Sequence, residues 1–148
     1  MADQRELQEL QMYYNEYQQN LDYLRQQLNL VVERKMESRA AIDALETVRE
    51  QPDETVLLPL GGGASLRARI PDPETVLVNI GSDVVVTRSN PDAVDFLTGR
   101  ITELESLEKK LAESIGSLQA QMEEIRRRLE SAYSGQPQGS PASGRNTE

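Results

Sequence analysis

Between Leu7 and Leu45 apolar side chains return at alternating steps of three and four residues. With Leu7 as heptad position a, the a sites are Leu7, Tyr14, Leu21, Leu28, Lys35 and Ile42, and the d sites are Leu10, Tyr17, Leu24, Val31, Ser38 and Leu45. Ten of these twelve are apolar or aromatic, and the spacing never slips. A 3.5-residue period sustained this long predicts a left-handed coiled coil, because only that period keeps one stripe against a partner helix. The helix is expected from about Asp3 to Glu50. Pro52 ends it, since proline has no backbone N–H and clashes with the preceding turn.

A second run of the same kind follows downstream. Its a sites are Val94, Ile101, Glu108, Ile115, Met122 and Leu129, and its d sites are Leu97, Leu104, Leu111, Leu118, Ile125 and Ala132. Asn90-Pro91-Asp92 reads as its start, with Asn90 as N-cap, Pro91 at the first helical position and Asp92 in the first turn. This helix is expected from about Pro91 to Tyr133. Both helices should reach roughly 65–70 Å at 1.5 Å per residue, so they can zip together antiparallel along their length. Lys35, Ser38 and Glu108 interrupt the seam, which fixes register and partner number. Lys35 and Glu108 lie at similar distances from the middle of the chain and are expected to pair across the seam.

The period changes between Thr55 and Arg88. Four short runs, Thr55–Leu58, Ser65–Ile70, Thr75–Ile80 and Val84–Thr87, are separated by Gly61-Gly62-Gly63, Pro71-Asp72-Pro73 and Gly81-Ser82-Asp83. Short β-branched runs bounded by Gly, Pro, Asp and Ser predict two successive hairpins. In the third run Val76, Val78 and Ile80 share one side and Leu77 takes the other; in the fourth, Val84 and Val86 oppose Val85. Strands that are apolar on both sides want cover on both sides. With the helix seams committed to each other, nothing else in the chain is expected to supply that cover, and open strand edges invite other strands. Assembly through these strands follows. The residues expected at that interface are Val56, Leu58, Leu60, Leu66 and Ile70 from the first two runs, and Val76, Val78, Ile80, Val84 and Val86 from the last two.

The fold class is therefore α+β and mainly α, a long antiparallel two-helix coiled coil with two β-hairpins between the helices that assemble into an oligomeric β-barrel platform. The expected divisions are a helix over 1–50, an oligomerisation segment over 51–89, a helix over 90–133 and a disordered tail over 134–148. Eight of the fifteen tail residues are Gly, Ser or Pro, too few apolar groups to offset the entropy of ordering.

Composition removes most chemistry. The 148 residues contain no His, Cys or Trp and a single Phe, so thiolate and imidazole nucleophiles, bases and disulfides are excluded. The glycine triplet lacks the Lys-Ser/Thr that a phosphate loop needs; Ala64-Ser65-Leu66 follows instead, and a turn is the reading. No enzyme, cofactor or metal site is expected. A net charge of −9 disfavours nucleic acid and anionic membrane surfaces. No apolar run is long enough for a transmembrane helix, and the polar N-terminus is unlike a secretory signal; a soluble, cytoplasmic protein is expected.

The motifs Val56-Leu57-Leu58-Pro59-Leu60-Gly61, Ala68-Arg69-Ile70-Pro71-Asp72 and Thr75-Val76-Leu77-Val78-Asn79-Ile80-Gly81, set between such helices, resemble the double-hairpin core of the prefoldin alpha class, archaeal type. The resemblance spans roughly residues 3 to 133. It implies a hexamer of two alpha and four beta subunits, in which hairpins build a double β-barrel platform carrying six coiled coils. It also implies capture of non-native polypeptides without ATP and their delivery to a group II chaperonin. In this chain the client-binding residues would lie at the free helix ends: Met1, Leu7, Leu10 and Met12 with Leu118, Met122, Ile125, Leu129 and Tyr133. Apolar ends that fray, with flexible methionines, suit weak binding of many sequences. The bland alternative for these side chains is completion of the seam. At the level of the whole protein, the alternative is an oligomeric spacer or adaptor that holds no clients.

Overall fold

The computed structural model describes residues 3–134; Met1 and the tail from Gly135 onward lie outside the described residues. Two long helices, α1 (Gln4–Glu50) and α2 (Asn90–Ser134), flank four strands: β1 (Val56–Gly61), β2 (Ala64–Ala68), β3 (Thr75–Gly81) and β4 (Val84–Ser89). The chain divides into two compact units, Met1–Leu28 with Lys110–Glu148, and Asn29–Lys109.

In the first unit the seam is built from the 3,4 repeat. Leu7, Leu10, Tyr14, Tyr17, Leu21, Leu24 and Leu28 of α1 are all buried or half-buried, as are Leu111, Ile115, Leu118, Met122, Ile125, Leu129 and Ala132 of α2. Asp3 opens α1, its carbonyl accepting from the Leu7 amide at 3.1 Å.

The second unit carries the other seam positions and both hairpins. The polar interruption pairs as expected: Lys35 Nζ donates to Glu108 Oε2, and Arg39 donates to Glu105 at 3.1 Å one turn along. These two rungs, 35 with 108 and 39 with 105, run in opposite chain directions, so the helices here are antiparallel. Ser38, the other polar seam residue, is buried.

The four strands form two separate two-stranded antiparallel sheets, not one. Hairpin 1 is β1–β2 and hairpin 2 is β3–β4. They repeat a plan at an offset of 20 residues. Val56 pairs with Ala68 and Val76 with Arg88; each ladder then slips by one residue, at Leu60 in hairpin 1 and Ile80 in hairpin 2. Each closes on a two-residue loop with both φ values positive: Gly62 (+62°) and Gly63 (+82°), Ser82 (+49°) and Asp83 (+61°). That is the turn whose twist matches a hairpin's. The glycine triplet is thus a turn.

Two expectations need correction. The start of α2 is capped by Ser89, whose Oγ accepts from the Asp92 amide at 3.2 Å, and not by Asn90. Asn90 is the first helical residue, and Pro91, which has no donor to satisfy, is the second. The other correction concerns cover. Hairpin 2 is not bare on both sides, because Val78 is only 8% exposed and Val76 and Val86 are half-buried within the single chain. Asn90 N donates to Glu74 O at 2.8 Å at the base of this hairpin, and Arg100 reaches Asn79 O at 3.5 Å nearer its tip. The first turns of α2 therefore cover one face of β3–β4. The reading that both helices had nothing left for the sheet overlooked the residues before the α2 seam begins, among them the fully buried Ala93.

Candidate functional site

Two surfaces carry most of the apolar groups that the fold leaves uncovered among the described residues, one in each unit. The hairpins supply the first. In a ladder, residues paired across strands share a face, so Leu58, Leu66, Val56 and Ala68 of hairpin 1 are on one side and Leu57 and Arg67 on the other. Leu57, Leu58, Leu60 and Leu66 are all exposed, which leaves hairpin 1 open on both faces. In hairpin 2 the equivalent inner face (Val76, Val78, Val86) is covered, while Leu77 is 71% exposed and its neighbour Val85 is also open. Past the slip in the ladder, Ile80 and Val84 are exposed; Ile70, outside any strand, is half-buried.

Of the ten side chains expected at a strand interface, Leu58, Leu60, Leu66, Ile80 and Val84 are open to solvent and Val56, Ile70, Val76 and Val86 are half-buried. Val78 is buried within the single chain. Leu57, Leu77 and Val85, outside those ten, are exposed as well. Leu57 and Leu77 occupy the same place in a 20-residue repeat of Val-Leu-x-x-x-Gly.

The helix ends supply the second surface. Of the expected client-binding residues, Met12 is 70% and Tyr133 66% exposed, while Leu7, Leu10, Leu118 and Leu129 are half-buried. Met122 and Ile125, each 9% exposed, complete the seam instead. The physical reason is that they occupy adjacent a and d sites, which point at the partner helix by construction. Met12 and Tyr133 sit at f and e, off the seam. Tyr13 and Tyr23, not among the expected residues, are also exposed, and the Tyr13 ring stacks against Tyr17 at 6.5 Å between centroids. An open groove runs between Asn20, Tyr23 and Leu24 of α1 and Ser114, Ser117 and Leu118 of α2, where the short serines leave space beside the tyrosine.

Around these groups the surface is charged and self-paired. Arg126 donates to both Glu123 and Glu130, and Arg128 to Glu124 at 3.3 Å. The hydrogen bond from Arg126 holds the Glu123 carboxyl below the usual carboxylate range, helped by the charges of Arg126 and Arg127. No helix among the described residues is long and apolar enough to cross a membrane. The arrangement offers apolar contact, strand edges and charge.

Comparison with known proteins agrees with this geometry. A family model described as prefoldin subunit matches residues 17–135. The chain is 51% identical over 143 residues to prefoldin subunit alpha of Methanoculleus marisnigri, covering 97% of this chain and 96% of that one. It is 49% identical to prefoldin subunit alpha of Methanoregula boonei, covering 94% and 91%. Among solved structures, a chain from the cryo-EM structure of filamentous PFD from Methanocaldococcus jannaschii superposes with a TM-score of 0.67 at 18% identity, over 80% of this chain and 98% of that one, which is a likeness of fold. Nearly the whole length is matched, helices and hairpins together, and so this chain belongs to the prefoldin family of chaperone subunits.

Proposed function

We propose that this chain is the alpha subunit of a cytoplasmic prefoldin hexamer of two alpha and four beta subunits. It acts without ATP or chemistry of its own, holding non-native polypeptides by apolar contact and passing them to a group II chaperonin. In this reading residues 51–89 join the subunits, 1–50 and 90–133 form the client-holding helix pair, and 134–148 is a tail with no assigned role. The observation that carries the assignment is the match to alpha subunits over 97% of the chain.

Physical support comes from both surfaces. Isolated two-stranded hairpins are marginal in water, and Leu57, Leu58, Leu66 and Leu77 have no cover in the single chain. Partner strands would bury them. At the helix ends Met12, Tyr13 and Tyr133 present flexible or amphipathic apolar groups that suit weak contact with many sequences. The acidic surface around them keeps a loaded complex soluble and favours basic clients.

The test is aggregation suppression. Mixed with a beta-class subunit, the chain is expected to keep a denatured protein in solution without nucleotide. Deleting residues 1–12 and 119–133 should abolish that protection while a hexamer still forms by native mass spectrometry. Full protection by the truncated complex would remove the helix ends from the mechanism. No protection by the intact complex would favour a spacer.

A further inference from the structure

We propose that Asn90 is a positioning residue, seating hairpin 2 against the helices of its unit and so holding it in the orientation that assembly with partner subunits requires. This rests on the reading that the hairpins mediate assembly.

Asn90 is 1% exposed and is the largest fully buried side chain among the described residues. A buried amide of this kind persists only where its donors are met. Its Nδ2 donates to Leu45 O at 3.0 Å, in the last turns of α1, and to Pro73 O at 2.9 Å, in the connector before β3. Its backbone N–H donates to Glu74 O at 2.8 Å. One residue therefore ties α1, the entry of hairpin 2 and the start of α2. Because Ser89 does the capping, the Asn90 side chain is free to point inward. Arg49 adds an exposed ion pair to Glu74 at 3.1 Å beside the same junction.

Both carbonyls take a donor from one NH2 group. Among uncharged side chains only Asn and Gln present two donors on one nitrogen, and Gln is one methylene longer; Arg and Lys would bring a longer stem and a charge into a buried site. Leucine has the volume and no donors, and aspartate would turn lone pairs toward two carbonyl oxygens. The 20-residue repeat supplies an internal control. The place of Asn90 in hairpin 1 is taken by Ile70, which has no side-chain donor. Among the described residues, no side-chain hydrogen bond or ion pair ties β1 or β2 to a helix. The uncovered hairpin is the one without the asparagine.

The experiment uses the full-length chain with Asn90→Ala and Asn90→Asp, alone and mixed with a beta-class prefoldin subunit. Three quantities are read: helix content by far-UV circular dichroism, amide exchange over residues 75–89 against 56–68, and the hexamer by native mass spectrometry across a dilution series. The expected result is unchanged helix content, exchange over 75–89 faster by at least about tenfold with 56–68 unmoved, and a hexamer midpoint shifted to at least about tenfold higher concentration. Asn90→Asp should recover part of its assembly when the pH is lowered from about 7.5 to about 5, wild type serving as control. A carboxyl buried against two carbonyls is protonated early and regains one O–H donor. A role in filling space alone gives no such recovery.

Several results would overturn the proposal. One is Asn90→Ala assembling at wild-type concentration despite faster exchange. Another is Asn90→Asp showing no recovery beyond wild type, and a third is loss of helix content in both variants. If the wild-type chain forms no complex while the variants still exchange faster over 75–89, it is the assembly reading that fails, and the seating of hairpin 2 stands.

Discussion

Hairpins 1 and 2 share a ladder slip and a two-residue turn, yet one is held by its own chain and the other is not. Hairpin 2 has a covered face at Val78, an amide latch at Asn90 and a guanidinium at Arg100 that also lies 5.0 Å from the Phe96 ring. Hairpin 1 shows both faces to solvent. Position in the chain explains the difference: β4 runs straight into α2 through Ser89, so hairpin 2 folds back on the first turns of that helix, whereas β1 and β2 have connectors at both ends. The lesson is that a hairpin's sequence sets its turn and register, while its energetic role depends on what the adjoining segments can reach.

The sharpest way to break this comparison is to place a charge at equivalent positions. Val78 and Leu58 occupy the same site of the repeat. Val78→Asp buries a carboxylate and is expected to cost the isolated chain at least about 3 kcal/mol, read as a lowered thermal midpoint. Leu58→Asp should leave the isolated chain within about 0.5 kcal/mol of wild type and yet prevent the hexamer, because its face has no cover until a partner supplies it. Equal effects of the two substitutions on the isolated chain would erase the distinction.

The turns give a smaller contrast. Ser82 and Asp83 hold positive φ without being glycine, a conformation L-residues reach at a cost. Ser82→Asn with Asp83→Gly should stabilise the isolated chain by about 0.5–1 kcal/mol, since asparagine-glycine is the preferred pair for this turn. The opposite change in hairpin 1, Gly63→Ala, meets no neighbouring atom and strains only the backbone. It is expected to cost about 1 kcal/mol of hairpin stability. That loss should be seen in the dissociation midpoint of the complex and not in the melting of the isolated chain.

Much of this was legible in the residues. The heptad a and d sites were assigned from spacing alone, and all twenty-four prove buried or half-buried. Even the polar rung of Lys35 and Glu108 followed from counting. The β-surface was harder, because alternation gives two faces without saying which one the chain itself will cover. That choice is made by Asn90, Arg100 and Ala93, residues read as a helix start or left unremarked. At the helix ends the same counting placed Met122 and Ile125 in the seam, and hydrophobicity alone could not separate them from Met12 and Tyr133. Heptad position could.

The smallest expected effect concerns the entry to hairpin 2. Asp72 accepts from the Glu74 amide at 3.1 Å, and the Thr75 hydroxyl, then backbone amides, hold its carboxyl below the usual carboxylate range. A carboxyl held low in the folded chain binds protons more weakly there than when unfolded. Its contribution is therefore complete above the unfolded value, about 4, and is lost as pH falls through the lower folded value. Amide exchange at Glu74 and Thr75 should thus be slower in wild type than in Asp72→Asn at neutral pH, with the two converging in acid. The leading causes are hydrogen bonds, so the difference should survive added salt. The lowered Glu123 carboxyl draws partly on the charges of Arg126 and Arg127, and that part should be screened. If salt removes the Asp72 difference as well, the entry turn is held by charge, and the small ordering advantage of hairpin 2 at this point belongs to the Arg49–Glu74 pair instead.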